Sequence, residues 1–169
     1  MRIGLLADSH DRVPAIAAFL KQMQEAGIGM VLHAGDFCAP FALDPFEAAQ
    51  ITMAGVFGKN DADPASLRTR ALAGIGMELF ESPHSFDLGG KRILLVHDLA
   101  DIPERSVESH DIVVHGHSHR QEMKHRGETL IVNPGESCGW VHGIPCAAIL
   151  DLDARSVEFL ALSGPQWKF

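Results

Sequence analysis

Three short apolar segments in the first third of the chain each end in a cluster that contains aspartate. The pairs are residues 2–7 with Asp8, residues 30–33 with Asp36, and residues 51–57 with Asp61. Between the first two segments, residues 13–26 carry apolar side chains at helical spacing, and Gly27 ends this pattern. An alternation of strand, helix and strand predicts a parallel sheet with right-handed crossovers. The three clusters should therefore lie together at the sheet edge where α/β proteins bind ligands.

The second half of the chain carries hairpin signatures instead. Gly89-Gly90 separates two short apolar segments, residues 85–88 and 92–96, and Gly127 separates residues 122–125 from 129–132. The remaining predicted elements are helices at residues 43–49, 64–73 and 103–108, a strand at 112–115, and a last strand pair at 147–152 and 157–162. No element is assigned to residues 74–83. These patterns predict one α/β domain, residues 1–169, of two packed sheets with helices outside.

Carboxylates and imidazoles follow the ends of five predicted strands. In chain order they are Asp8 with His10, Asp36, Asn60 with Asp61, His97, and His117 with His119. A donor set of oxygen and nitrogen without thiolate suits Mn, Fe, Co, Ni or Zn better than Mg or Ca. A carboxylate such as Asp36 can bridge two metal ions, and such a pair clamps the attacking and leaving oxygens of a displacement at phosphorus. The residues alone therefore predict metal-assisted hydrolysis of a phosphate ester, with His33 and His115 packed beneath the site.

Composition excludes several other classes of protein. The formal net charge of −8 argues against a broad contact with long nucleic acid. No apolar run approaches the roughly 20 residues that span a membrane, and residues 3–7 are too short for the apolar part of a signal peptide. The three scattered cysteines indicate neither a disulfide framework nor a zinc site of the CxxC kind. We therefore expect a cytoplasmic protein that does not bind membranes.

The ordered set of blocks resembles the calcineurin-like metallophosphoesterase superfamily, especially its small single-domain phosphodiesterase branch from archaea and bacteria. The blocks are Asp8-Ser9-His10, Gly35-Asp36, Gly58-Lys59-Asn60-Asp61, His97, Gly116-His117-Ser118-His119 and the tail block from Asn133 to Gly139. The resemblance implies a four-layer αββα sandwich of two mixed sheets flanked by helices, with a dinuclear metal site. By position, Asp8, His10, Asp36 and His119 would hold the first metal. Asp36, His97 and His117 would hold the second, with Asp36 bridging.

The sequence departs from the family pattern at Lys59, where the family has an asparagine that ligates the second metal. A protonated lysine has no lone pair to donate and repels a cation. Three outcomes stay open: Lys59 turns away, Asn60 becomes the ligand, or Lys59 replaces the second metal as a fixed positive charge. Asp98 also stands after His97, where the family usually has glycine. We take Lys59, Asn60 and Asp61 as the candidate catalytic residues.

The expected function is a metal-dependent phosphodiesterase that acts on small phosphodiesters by attack of a metal-bound hydroxide, with monoesters as less favoured substrates. One or two divalent metals per chain are expected, with Mn favoured and Ni, Fe, Co or Zn as alternatives. The alternative is a weakly active or non-catalytic interaction scaffold, as the related retromer subunit is. The retained histidines favour the enzyme, whereas Lys59 favours the scaffold. A homodimer contact, if one forms, is expected at the loop around Trp140 or the tail from Trp167 to Phe169.

Overall fold

A computed structural model describes residues 1–167; Lys168 and Phe169, part of the tail considered above as a dimer contact, lie outside the described residues. Within that range the chain forms eleven strands and four α-helices. The strands are β1 (Arg2–Leu6), β2 (Met30–His33), β3 (Thr52–Val56), β4 (Met77–Phe80), β5 (His84–Leu88), β6 (Lys91–Leu95), β7 (Ile112–Val114), β8 (Gln121–Arg126), β9 (Thr129–Pro134), β10 (Cys146–Asp151) and β11 (Ser156–Ala161). The helices are α1 (Val13–Glu25), α2 (Asp44–Ala49), α3 (Pro64–Ala73) and α4 (Glu104–Glu108).

Six strands form the first sheet, in the order β11-β10-β1-β2-β3-β4. Strands β1 to β4 run parallel, as predicted for the first three of them, and β10 and β11 add an antiparallel edge. Leu5 pairs with Leu32 and Leu32 pairs with Ala54, so the three strands end at one level. This register brings the loops after β1, β2 and β3 to a common edge.

Five strands form the second sheet, in the order β5-β6-β7-β9-β8. Its edges are the two predicted hairpins, β5–β6 and β8–β9, and its centre is parallel. Strands β6 and β7 are parallel neighbours, with Leu95 opposite Val114. The loops that follow them, which carry His97 and His117, therefore emerge side by side.

The two sheets pack face to face, and the helices cover their outer faces. Alternation along β6 shows the layering: Ile93 and Leu95 face the first sheet, whereas Leu94 and Val96 pack outward with Val107 of α4. On the other side, Phe19 of α1 belongs to the core between the first sheet and its helices. Burying each of these large apolar side chains contributes about 1.5–3 kcal/mol. The predicted αββα sandwich of two mixed sheets is confirmed.

Strand β4 was not predicted from the sequence. It has four residues, follows Gly74 and Gly76, and alternates buried Met77 and Leu79 with exposed Glu78. So short an alternation is a weak signal by itself, because strands usually need a longer pattern to be told from loops. Pairing with the edge of β3 supplies the hydrogen bonds that make it a strand.

Candidate functional site

The loops that follow β1, β2 and β7 share an unusual backbone conformation. Among residues 1–167, nine non-glycine residues have positive φ, and seven of them lie in these loops. The seven are Asp8, His10, Asp11, Asp36, Cys38, His117 and His119. Positive φ costs free energy in side-chain-bearing residues and persists only where the surrounding structure enforces it. The packed loops thus hold the backbone of several polar residues in conformations that an unfolded chain rarely adopts.

Gly58 allows two of these loops to approach each other. A Cβ atom at this position would come within 3.0 Å of both the carboxylate and the backbone nitrogen of Asp36. The neighbouring Asp61 side chain, 5% exposed, then joins the loops: its carboxylate accepts hydrogen bonds from the N–H groups of Asp36, Cys38 and Gly58 at 3.1, 2.7 and 2.7 Å. Asp61, predicted as catalytic, therefore faces backbone rather than the open cleft, a geometry that favours a positioning role.

Four side chains converge on one point beside these loops. Donor atoms of Asp8, His10, Asp36 and His119 all lie within 4.8 Å of one another. His10 Nε2 is 3.5 Å from Asp36 Oδ2, and His119 Nε2 is 3.6 Å from Asp8 Oδ1. Donors that share one ion at bond lengths of about 2.0–2.2 Å lie roughly 3.0–3.6 Å apart. These separations are too long for hydrogen bonds but suit a common cation.

The imidazoles are turned so that their Nε2 atoms face the carboxylates. His97 Nδ1 donates to the carbonyl oxygen of Ala34 at 2.8 Å, and His119 Nδ1 lies 2.9 Å from Glu136 Oε2. Such contacts fix the tautomer and leave the Nε2 lone pair as a ligand. The Nε2 atoms of His10 and His97 are buried and have no hydrogen-bond partner among residues 1–167. A buried polar atom without a partner is costly, so both atoms fit a site for a bound cation.

A second group adjoins the first through Asp36. His97 Nε2 is 3.5 Å from Asp36 Oδ1, and the rings of His97 and His117 meet edge to face with centroids 5.3 Å apart. His117 Nε2 lies 3.3 Å from Asp98 Oδ2, and the Lys59 ammonium donates to the same oxygen. Lys59 is thus turned onto Asp98. Asn60 instead holds Asp36, with its side-chain and backbone nitrogens each donating to the carboxylate at 2.8 Å.

Burial sets the electrostatics of the carboxylates. Asp8 is fully buried, and this desolvation raises its pKa to about 7 despite nearby histidines and the His117 N–H. Burial acts in the same direction on Asp36, but the hydrogen bonds from Asn60 and the nearby His97 and His10 together outweigh it and hold the pKa below its usual value. Burial also lowers the pKa of His10, which keeps this imidazole neutral and able to act as a ligand. A cation bound between Asp8 and Asp36 would stabilise the charged forms of these two buried carboxylates.

Comparison with known proteins shows to which family the chain belongs. The model of the calcineurin-like phosphoesterase superfamily domain matches residues 1–155. The chain belongs to this superfamily. Membership confirms the resemblance seen in the sequence blocks and implies a divalent metal, which the buried, unpartnered Nε2 atoms of His10 and His97 are placed to bind.

Relatives of known name cover nearly the whole chain. A phosphodiesterase from Methanocaldococcus jannaschii is 28% identical over 166 residues, which are 96% of this chain and 99% of that one. The solved structure of an archaeal phosphodiesterase superposes with a TM-score of 0.89 at 26% identity, over 96% of this chain and all of that chain. A phosphoesterase from E. coli has the same fold, with 18% identity and a TM-score of 0.70 over 96% of this chain and all of that chain.

No helix within residues 1–167 is long and apolar enough to cross a membrane.

Two residues of the site were missed as functional in the sequence analysis. Glu136 lies in the tail block of the family, but no periodicity shows that its carboxylate reaches His119. Asp98 was noted only as a departure from glycine, and its contacts with Lys59 and His117 span 39 and 19 residues of sequence.

His33 lies where it was expected, fully buried beneath the site, with Nε2 3.0 Å from Ser9 Oγ. His115 is also buried and lies 3.3 Å from Glu122.

Proposed function

We propose that this protein is a metal-dependent phosphodiesterase that acts on small phosphodiesters. In this proposal Asp8, His10, Asp36 and His119 hold a first divalent metal. Asp36, His97 and His117 hold a second. The observation that carries the proposal is the pair of buried, unpartnered Nε2 atoms of His10 and His97, each 3.5 Å from a different oxygen of Asp36.

A divalent transition metal in such a site supplies Lewis-acid stabilisation of phosphoryl oxygens and lowers the pKa of a bound water. The mixed carboxylate and imidazole donors suit Mn, which we favour, as well as Fe, Co, Ni or Zn. The residues of the chain orient this chemistry. Asn60 donates a hydrogen bond to each oxygen of Asp36 and so holds the carboxylate with one oxygen 3.5 Å from His10 Nε2 and the other 3.5 Å from His97 Nε2. Asp61 holds the backbone of both loops in place.

Lys59 contributes a positive charge at the rim of the site. Its side chain is 49% exposed, and the hydrogen bond to Asp98 raises the pKa of the ammonium above its usual value. It therefore stays protonated at neutral pH, and when it leaves Asp98 its ammonium can attract an anionic substrate toward the cleft. His117 is also accessible, with 43% of its side chain exposed, so its ring borders the space that a phosphate would enter.

The surroundings of the site favour a diester over a monoester. Trp140, Val141 and Ile144 are large apolar residues exposed by 51, 62 and 53% in one loop. The Trp140 ring centroid lies 6.2 Å from that of His10. A diester carries a second organic group that a monoester lacks, and this apolar loop can receive it. The net charge of −8 disfavours long nucleic acid, so small substrates fit best.

The test compares bis(4-nitrophenyl) phosphate with 4-nitrophenyl phosphate after loading with Mn²⁺ and removal of excess metal. We expect faster hydrolysis of the diester, loss of activity with a chelator, and at least a 100-fold lower kcat in His119→Ala, since an Nε2 donor is lost. The matched control is His125→Ala, which removes an exposed histidine of β8. Equal rates in His119→Ala and His125→Ala would refute the assigned site. No hydrolysis of either ester by the loaded wild-type protein would refute the proposed function.

A further inference from the structure

The Asp98 side chain stands between Lys59 and the second group of donors. Its Oδ1 accepts a hydrogen bond from the N–H of Ala100 at 3.0 Å, which orients the carboxylate. Its Oδ2 accepts from the Lys59 ammonium and lies 3.3 Å from His117 Nε2. The Asp98 side chain is only 15% exposed, whereas that of Lys59 is 49% exposed. Asp98 Oδ2 therefore has two partners, the ammonium of Lys59 and the imidazole of His117, whose side chains are 49 and 43% exposed. Of the two, the lysine is the strongly hydrated cation on a flexible stem.

The second group of donors contains one buried nitrogen atom that has no partner. His97 is 2% exposed, and its Nε2 has no hydrogen-bond partner among the residues that the structure describes. That atom is 3.5 Å from Asp36 Oδ1, and the His97 ring lies against the His117 ring. A carboxylate at 3.3 Å from His117 Nε2 has the separation of two ligands that share an ion. Asp98 thus adds a fourth donor to Asp36, His97 and His117, and it lies on the same loop as His97.

We infer that Asp98 is a ligand of the second metal and that Lys59 competes with this metal for the same oxygen. The inference rests on the proposed function, because it concerns the second site of that centre. The superfamily pattern given above has a neutral asparagine and a glycine at positions 59 and 98. Here a cation and an anion replace them, so the net charge around the site is unchanged. The anion is a suitable ligand for a transition metal, and the cation is a flexible, well-hydrated point charge that can leave it.

The competition predicts two unequal metal sites. Within residues 1–167 no lysine ammonium is hydrogen-bonded to the four donors of the first site, whereas Lys59 is bound to Asp98. The first site should therefore fill first. Filling the second site requires the Lys59 ammonium to leave Asp98, and this cost weakens the second affinity. Removing the ammonium should therefore strengthen the second site and leave the first unchanged. Removing the Asp98 carboxylate should weaken the second site whether or not Lys59 is present.

The experiment is a double-mutant cycle on the whole chain with Lys59→Met, Asp98→Asn and the double variant. Mn²⁺ per chain is measured by elemental analysis and by calorimetric titration, and Co²⁺ loading is followed by visible absorption, which reports coordination independently of activity. We expect two affinities in the wild type and about two- to fivefold tighter second-site binding in Lys59→Met, because a half-exposed ion pair is weak. Asp98→Asn should weaken that site by about tenfold or more in both backgrounds. Asparagine retains an oxygen for the Ala100 N–H, so the turn is preserved.

Asp101→Asn is the matched control, because it removes an exposed carboxylate from the same turn. It should change neither affinity. If Asp98→Asn has no effect in the Lys59→Met background, Asp98 only holds the lysine aside and the inference is wrong. A single metal in both the wild type and Lys59→Met also overturns it, while the first site and the proposed function stand. Absence of any bound metal in the wild type would instead overturn the proposed function itself.

Discussion

Replacing Glu136 with glutamine tests whether the imidazole of His119 is held for metal binding. Glu136 is 1% exposed, and its Oε2 lies 2.9 Å from His119 Nδ1. The carboxylate also accepts hydrogen bonds from the backbone N–H groups of Val141 and His142. Burial by itself would raise the pKa of Glu136, but the hydrogen bonds from His119 and this loop outweigh it and keep the pKa low. The residue is therefore an anion that orients a ligand histidine and anchors the apolar loop.

Two losses follow from the substitution. Partners of metal-binding histidines contribute about 10–100-fold to metal affinity, which corresponds to about 1.4–2.8 kcal/mol. The glutamine amide also places a donor group where the carboxylate accepts from His119, Val141 and His142, and one unsatisfied buried donor costs about 1–3 kcal/mol of stability. We therefore expect weaker first-site binding together with a lower free energy of unfolding for the metal-free protein.

Calorimetric titration with Mn²⁺ measures the first loss, and urea unfolding in the presence of a chelator measures the second. Glu128→Gln is the matched control, since Glu128 is exposed between β8 and β9 and should alter neither quantity. The reasoning would be refuted if Glu136→Gln kept wild-type values for both metal affinity and stability. A loss of stability without a loss of affinity would restrict Glu136 to anchoring the loop.

Further predictions concern backbone packing, buried charge and substrate choice. Gly58→Ala should abolish metal binding, measured by elemental analysis, because the added Cβ meets the carboxylate and backbone of the adjoining loop. Gly29→Ala should bind metal as the wild type does, because its Cβ would meet no atom of residues 1–167 within 4 Å. Burial lowers the pKa of His33 to about 3, so between about pH 6.5 and pH 3 only the unfolded state takes up this proton. The stability that His33 contributes is thus complete above pH 6.5 and falls as the pH decreases, by about 1.4 kcal/mol between pH 7.5 and 5.5. Urea unfolding of the metal-free protein should show this loss in the wild type and in His125→Asn, but not in His33→Asn. Trp140→Ala should lower kcat/KM for the diester about fivefold, because about 1 kcal/mol of aromatic contact with the substrate is lost. The kcat/KM for the monoester should not change, and equal losses on both esters would contradict the role of the apolar loop.

Local pattern in the sequence was sufficient for most elements of the fold. The helix α3 and the strand β2 have the bounds that the sequence predicts. Asp63 and Pro64 mark the start of the helix and Gly74 follows its end, while a short apolar run marks the strand. The strand β4 does not, since four residues at a sheet edge become a strand only through pairing with β3. The order of the polar blocks was likewise sufficient to predict the superfamily and the sheet edge at which Asp8, Asp36 and His119 meet.

Only the tertiary structure decided the arrangement around Lys59. The sequence left three outcomes open for this residue, and the structure turns its ammonium onto Asp98 while Asn60 holds Asp36. These contacts join loops from both sheets over long separations, so they depend on the register of the strands and on how the sheets pack. They also depend on positive φ at residues such as Asp36 and His117, a conformation that non-glycine residues adopt only when packing compels it. The sequence determines which donor side chains are available, and the packed loops determine which of these donors lie close enough to bind one ion.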